Sequence, residues 1–360
     1  MKYIIVTLSF FILVACSSEN TLVKTIGAGG VGGVGNSVNG LWSVPVNEIY
    51  DSGSGKDGIP SIDAPHFFET NNTLINTYML DEDFVIGVYV DGEARAYPHR
   101  ILDYHEIVND EMHGKNFTIS YCPLTGSSFG WESKVEGQQT SFGVSGLLYN
   151  SNLILYDRYS DSYWSQILQK SISGKAIHQI PKSFEIVETT WRMWKKMYPQ
   201  TKVLSNNQGF DRDYNVYPYG GYKKDDAFLL FPLSRKDERL DFKERVLAVI
   251  DKDEAVVFRL VNFYAGKTKR VSFNTNDLLI VGNANVLKVF TLSQQQKELD
   301  FIYNFKEASH FFKDNEGNEW SIFGEAISGP RKGEQLQPAH ALMTYWLAVP
   351  PFFSQVYVYE

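Results

Sequence analysis

Cys122 sits in Tyr121-Cys122-Pro123-Leu124-Thr125-Gly126, and the only other cysteine in the chain is Cys16. A thiol with no second cysteine in the same globular region has three uses: inert core side chain, metal ligand or nucleophile. Pro123 lacks an N–H and stiffens the chain just after the sulfur. Thr125, Gly126, Ser127 and Ser128 supply small side chains and accessible N–H groups, which suit a thiolate or an oxyanion. A nucleophilic thiol needs a base or a positive partner. His105 is the first candidate base. Arg158, in Tyr156-Asp157-Arg158, is the candidate for holding charge. Glu106 follows His105 directly and cannot share its direction on a helix, so it is a poor orienter, and Asp103 is no better placed. Thr125, Tyr149, Asn150, Trp164 and Gln166 are candidates to line the site, although Asn150-Ser151-Asn152 is also ordinary turn chemistry. His99, His105 and Cys122 could give copper or zinc two nitrogens and one sulfur. No CxxC, HxH or HExxH spacing supports that use, and the residues name no cofactor.

These side chains need elements to position them. Short alternating runs dominate: Asn116 to Tyr121, Gln139 to Val144, Leu153 to Tyr156, Arg270 to Asn274 and Val286 to Leu292. Gly, Asn and Asp clusters punctuate them, as in compact antiparallel structure. Cys122 then closes a strand, where loops present functional groups. Two helices are predicted. One runs from Arg100 to Asn109. The other runs from Thr190 to Tyr198, capped by Thr189 or Thr190 and stopped by Pro199. Trp191, Trp194 and Tyr198 share one face of the second helix, which reads as core.

The chain repeats itself. Val85 to Ala94 resembles Val246 to Ala255, each a strand, an acidic turn and a strand. Tyr163-Trp164-Ser165 with Ile172-Ser173-Gly174 resembles Glu319-Trp320-Ser321 with Ile327-Ser328-Gly329. An aromatic run ending near proline follows in each copy, Trp191 to Pro199 and Tyr345 to Pro351. The order is kept across all three matches, which points to duplication. The predicted class is mainly β (α+β): two tandem β-rich units, 41–205 and 245–360, joined by a linker, 206–244. Closure into small barrels is one way for such units to hide their edges. The second unit has no cysteine and reads as degenerate.

The chain has 360 residues with a formal net charge of −8. Lys2, the apolar run Ile4 to Ala15 and Cys16 form a charged segment and an apolar segment too short for a permanent span. Leu13-Val14-Ala15-Cys16 resembles a lipobox, so residues 1–16 read as a lipoprotein signal with Cys16 as the lipid attachment site. Ser17 and Ser18 lack the acidic residue of inner-membrane retention, which favours the outer membrane, facing the periplasm. Residues 17–40 are glycine-rich and read as a flexible tether. No basic block exists, which argues against nucleic acid and leaves membrane contact to the lipid. The expected partners are the membrane through Cys16 and an unidentified small molecule, glycan or protein of the envelope.

Several blocks together resemble the domain of unknown function 3179 family of bacteria and archaea. They are Ala94 to Pro98, Asp103 to Asp110, Tyr121 to Gly126, Phe142 to Asn152, Tyr156-Asp157-Arg158, Trp164-Ser165-Gln166, Tyr217-Pro218-Tyr219-Gly220 and Lys243 to Val246. The resemblance covers roughly residues 45–360. It places His105, Cys122, Asn150, Arg158, Trp164 and Gln166 in recurring blocks and assigns them no roles. The expectation is a lipid-anchored envelope protein with a thiol site at Cys122, performing acyl transfer or hydrolysis with His105 as base. A non-catalytic envelope binding protein and a copper- or zinc-handling lipoprotein are the alternatives.

Overall fold

The computed structural model describes residues 40–306 and 308–360. The signal segment, Cys16 and all of the tether except Gly40 lie outside the described residues. The described chain is mainly β, with 42% strand and 10% helix. Among the described residues no helix is long and apolar enough to cross a membrane.

Two sheets share one plan. In the first, Phe84–Val90 pairs with Glu93–Pro98 as a hairpin, Val187–Thr190 adds antiparallel to its first strand, and Lys202–Leu204 adds parallel to its second. In the second, Arg245–Asp251 and Glu254–Arg259 form the hairpin, Ala341–Tyr345 adds antiparallel, and Gln355–Tyr359 adds parallel. A three-stranded sheet, Ile107–Met112, Lys115–Cys122 and Ser127–Glu132, follows the hairpin in the first half, and a four-stranded one, Lys267–Phe273, Asn276–Asn283, Val286–Thr291 and Gln337–Pro338, follows the hairpin in the second. A meander comes next in each. The first runs through Phe142–Tyr149, Asn152–Asp157, Tyr163–Ser165 and Lys170–Ser173; the second through Phe301–Tyr303, Phe312–Asp314, Glu319–Trp320 and Ala326–Ser328. Trp164 Nε1 donates to Asp157 Oδ2 at 2.9 Å, and Trp320 Nε1 donates to Asp314 Oδ2 at 2.9 Å, so the two meanders repeat even this buried bond.

No sheet closes into a barrel. Sheets of two to five strands are too narrow for that, since a packed barrel needs about eight. The faces are covered by exchange between the halves instead. Phe301, Phe312 and Trp320 of the second meander share a core with Val85, Ile86 and Val88 of the first hairpin. Tyr149, Ile154 and Ile172 of the first meander share a core with Val246, Ala248 and Val257 of the second hairpin. Direct contacts mark both crossings: Phe323 lies 6.4 Å from the Trp194 ring, and Tyr149 packs edge-on against Phe352 at 5.2 Å. The division at 206–244 therefore separates the sequence repeats but not the cores.

The helices are shorter than predicted. His99–His105 stops because Glu106 takes a left-handed conformation (φ 58°, ψ −29°) and Ile107 begins a strand. Trp191–Met197 starts on Thr190, whose side chain accepts from the Met193 N–H, and it buries Trp191, Met193, Trp194 and Met197. That face is core, as its spacing required.

Candidate functional site

Lys115–Cys122 is the central strand of its sheet, so its side chains alternate between two faces. Phe117, Ile119 and Tyr121 enter the first core, while Cys122 enters another with Leu124, Leu153, Tyr219 and Tyr222. Cys122 pairs with Ser127, leaving Pro123 to Gly126 as the connecting turn. Gly126 has φ +57°, and a Cβ there would stand 2.8 Å from the Tyr345 ring. Glycine is required on both counts. The turn is also tied to the second half, because Thr125 O accepts from Tyr345 N at 2.7 Å and from Thr344 Oγ1 at 2.9 Å.

The thiol is 1% exposed. Its Sγ faces Ser151 O at 3.8 Å and lies near the Thr125 hydroxyl and the N–H groups of Thr125 and Leu153. Burial, reinforced by the Glu106 carboxylate, pushes the thiol up to about 11, against the opposing hydrogen bonds from Thr125 and Leu153. At neutral pH it carries its proton.

Glu106 is the charged group whose field reaches it. It is buried, its Oε1 accepts from Tyr219 OH at 3.1 Å, and burial raises its carboxyl to about 7. Glu106 also lines an apolar cavity of about 30 Å3 with Tyr219, Leu124, Leu148, Leu153 and Phe231. A buried carboxyl and a non-glycine left-handed backbone are both costly, and they coincide at one residue.

His105 points elsewhere. Nδ1 lies 2.8 Å from Pro60 O and Nε2 2.8 Å from Tyr214 OH. A carbonyl can only accept, so Nδ1 carries the proton and Nε2 accepts from the phenol. Burial depresses this imidazole to about 4. Both of its nitrogens are committed, so it does not take the place beside the thiol expected of a base; the titratable carboxyl whose charge reaches the thiol is that of its chain neighbour Glu106. Arg158 does not join the thiol either. Leu153, whose N–H faces the sulfur, lies near the start of Asn152–Asp157, whereas Arg158 follows its far end, ~16 Å along the strand. There its guanidinium binds Ser61 Oγ at 2.9 Å, Ser141 Oγ at 3.0 Å and Phe142 O at 3.1 Å, between Asp57 and Asp63.

Thr125 and Gln166 are brought close to the thiol as supports of its turn. Asn152 Nδ2 donates to Thr125 Oγ1 at 2.9 Å and to Gln166 Oε1 at 2.8 Å, Ser127 Oγ donates to Gln166 Oε1 at 2.6 Å, and Gln166 Nε2 donates to Ser120 Oγ at 2.6 Å. Trp164 fills the same core 6.2 Å from Trp131. Tyr149 and Asn150 are not lining residues. Tyr149 faces the other half, and Asn150 and Ser151, with φ 49° and 62°, make the two-residue turn of the meander hairpin. Among the described residues, no three His, Cys, Asp or Glu side chains gather as a metal set, so His99, His105 and Cys122 are not such a group.

The turn-rich, aromatic linker could be expected from its sequence to pack across the two copies or line a cleft, but none of the candidate site residues lies in it or in the second half, and both reach the site. Tyr217 and Tyr219 stand near Cys122, Tyr222 OH donates to Leu124 O at 2.8 Å, and Lys223 pairs with the buried Asp103 at 2.9 Å. The signal available was the density of tyrosine in Tyr217-Pro218-Tyr219-Gly220-Gly221-Tyr222, too aromatic for a solvated linker. Arg245 opens the second hairpin and pairs with the buried Glu188.

No curated protein and no solved structure matched the chain. A family model described as a protein of unknown function (DUF3179) matches residues 56–356. With most of its length matched, and with the blocks around Cys122 inside the match, the chain belongs to the DUF3179 family.

Proposed function

We propose that this is a lipid-anchored protein of the cell envelope that performs acyl transfer or hydrolysis at Cys122, with Glu106 in the base role. The anchor rests on the lipobox ending at Cys16. The observation that carries the chemistry is Glu106: a carboxyl raised to about 7, buried against the same Leu124, Leu153 and Tyr219 as a thiol raised to about 11, in a strained backbone conformation. A base that titrates near neutral pH is suited to proton transfer at the operating pH. Moving the thiol proton to Glu106 keeps the buried pair at one negative charge, which avoids creating a second charge in an apolar site. In the acylation step the S–C bond forms at the acyl carbon, Glu106 takes the thiol proton, the bond to the leaving oxygen breaks, and Glu106 returns the proton to that oxygen. Water then attacks the thioester with Glu106 again as base, releasing the acid and restoring the thiol. The N–H groups of Thr125 and Leu153 stabilise negative charge on the sulfur.

The test uses the full-length protein in detergent with p-nitrophenyl acetate. The expected result is acetylation confined to Cys122 in the folded protein, slowed by a factor on the order of 100 in Glu106→Gln and abolished in Cys122→Ser. The second reading, ligand binding without catalysis, is favoured by the 1% exposure of Cys122. Acetylation of Cys122 only in denaturant would select it.

A further inference from the structure

We infer that the junction of the two halves holds a small oxyanion, bound by the hydroxyls of Tyr121 and Tyr217, the His99 imidazole and the Arg245 guanidinium. Tyr121 and His99 are buried, and the Tyr121 OH, the His99 Nε2, the Tyr217 OH and the Arg245 Nε have no hydrogen-bond partner among the described residues. Buried polar atoms are almost always satisfied. A single exception has many explanations, but four grouped around Tyr121 describe a site. The His99 ring lies 4.1 Å from the Tyr121 ring and 5.8 Å from Phe84, and the Arg245 guanidinium lies 4.5 Å from that same Phe84 and 5.8 Å from Tyr345. Lys223 Nζ lies 4.2 Å from the Tyr217 ring. Burial raises both phenols, and Asp103 and Tyr345 stand close enough to both to add to it.

The chemistry of the set selects the ligand. Two phenols, an N–H of arginine and an imidazole all can donate; Asp103 is held by Lys223, and Glu188, whose Oε1 pairs with Arg245 Nη2 and lies 3.7 Å from His99 Nε2, leaves the two phenols and the Arg245 Nε to the ligand. An acceptor with several oxygens satisfies them together, and ionic acceptors make the stronger bonds. The side chains of Arg245 and Lys223, 17% and 31% exposed, connect the site to solvent. Arg245 comes from the second half, which gives that cysteine-free copy a part in binding. The site stands whether or not Cys122 reacts.

Thermal unfolding of the full-length protein in detergent tests the site, with sodium acetate titrated against sodium chloride at matched ionic strength and sodium phosphate as a second arm. The expected result is a saturable rise in Tm with acetate above that with chloride. In Tyr121→Phe/Tyr217→Phe the dissociation constant should rise about 100-fold, roughly tenfold for each hydroxyl bonded to a charged group. A rise with phosphate instead, lost in the same variant, also supports the site and makes its ligand tetrahedral. The inference is overturned if neither anion exceeds chloride with the unaltered protein, or if the rise survives the double substitution. Should the double variant not fold, Tyr217→Phe alone decides in the same way, because its half-buried ring keeps its packing.

Discussion

Two adjacent residues, His105 and Glu106, have opposite protonation physics. Glu106 is raised from 4.5 to about 7, so between those values the folded state binds more protons than the unfolded state. Its contribution to stability is therefore lost as pH rises from about 4.5 to 7 and stays lost above, by about 3 kcal/mol for a shift of this size. Glu106→Gln should accordingly be more stable than the parent protein by up to about 3 kcal/mol at pH 8 and by much less at pH 5, read as the difference in urea midpoints. Equal gains at both pH values would show that Glu106 is not held as a high-pKa carboxyl. His105 has the opposite expectation. His105→Ala removes the bonds to Pro60 and Tyr214 and should destabilise the fold by about 2–3 kcal/mol. Acetylation of Cys122 in the fraction that remains folded should be unchanged. The residue types near the thiol were legible in the sequence, but their directions were not. The rule that neighbours on a helix diverge was sound; it was the histidine that turned away and the glutamate whose charge acts on the thiol.

At the scale of elements, the turn Pro123 to Gly126 carries the thiol, and it is held from three sides. Its backbone is fixed by Tyr345 N and Thr344 Oγ1, its side chains by the Asn152–Gln166 network, and its glycine by the Tyr345 ring. Gly126→Ala places a methyl against that ring in a left-handed conformation. The expected cost is about 2–3 kcal/mol, from strain and overpacking together. The displaced turn should also expose the thiol, seen as faster alkylation of Cys122 under native conditions. A variant with unchanged stability and unchanged alkylation would contradict this account of the turn. Strand alternation over Asn116 to Tyr121 was enough to locate Cys122 at a strand end, and the Thr190 cap was legible from its side chain. The end of the first helix was not, because nothing in Glu106-Ile107-Val108 forbids another helical turn. A tertiary constraint wins there: Ile107 to Met112 must pair with Lys115 to Cys122.

At the scale of the whole molecule, the repeat in the sequence is matched by strand order, by direction of pairing and by the Trp164–Asp157 and Trp320–Asp314 bonds. What no repeat reveals is where each meander packs. Alternation marks a face as apolar without naming its partner, so two self-contained units and two exchanged ones look alike in sequence. The exchange leaves each hairpin sheet dependent on the opposite meander, with buried residues such as Trp320 and Ile154 worth about 1.5–3 kcal/mol each. Calorimetry of the full-length protein should therefore show one transition. Residues 40–244 or 245–360 expressed alone should show no cooperative unfolding, and two transitions in the full chain would contradict the shared cores. The central claim, that Glu106 governs the proton of Cys122, is tested most directly by the rate of iodoacetamide alkylation of Cys122 against pH. The protein should be folded and full-length, and compared with Glu106→Gln and His105→Ala. The account predicts a rise in rate centred near pH 7 in the parent protein and in His105→Ala, absent in Glu106→Gln. A profile that loses this rise in His105→Ala and keeps it in Glu106→Gln would contradict it.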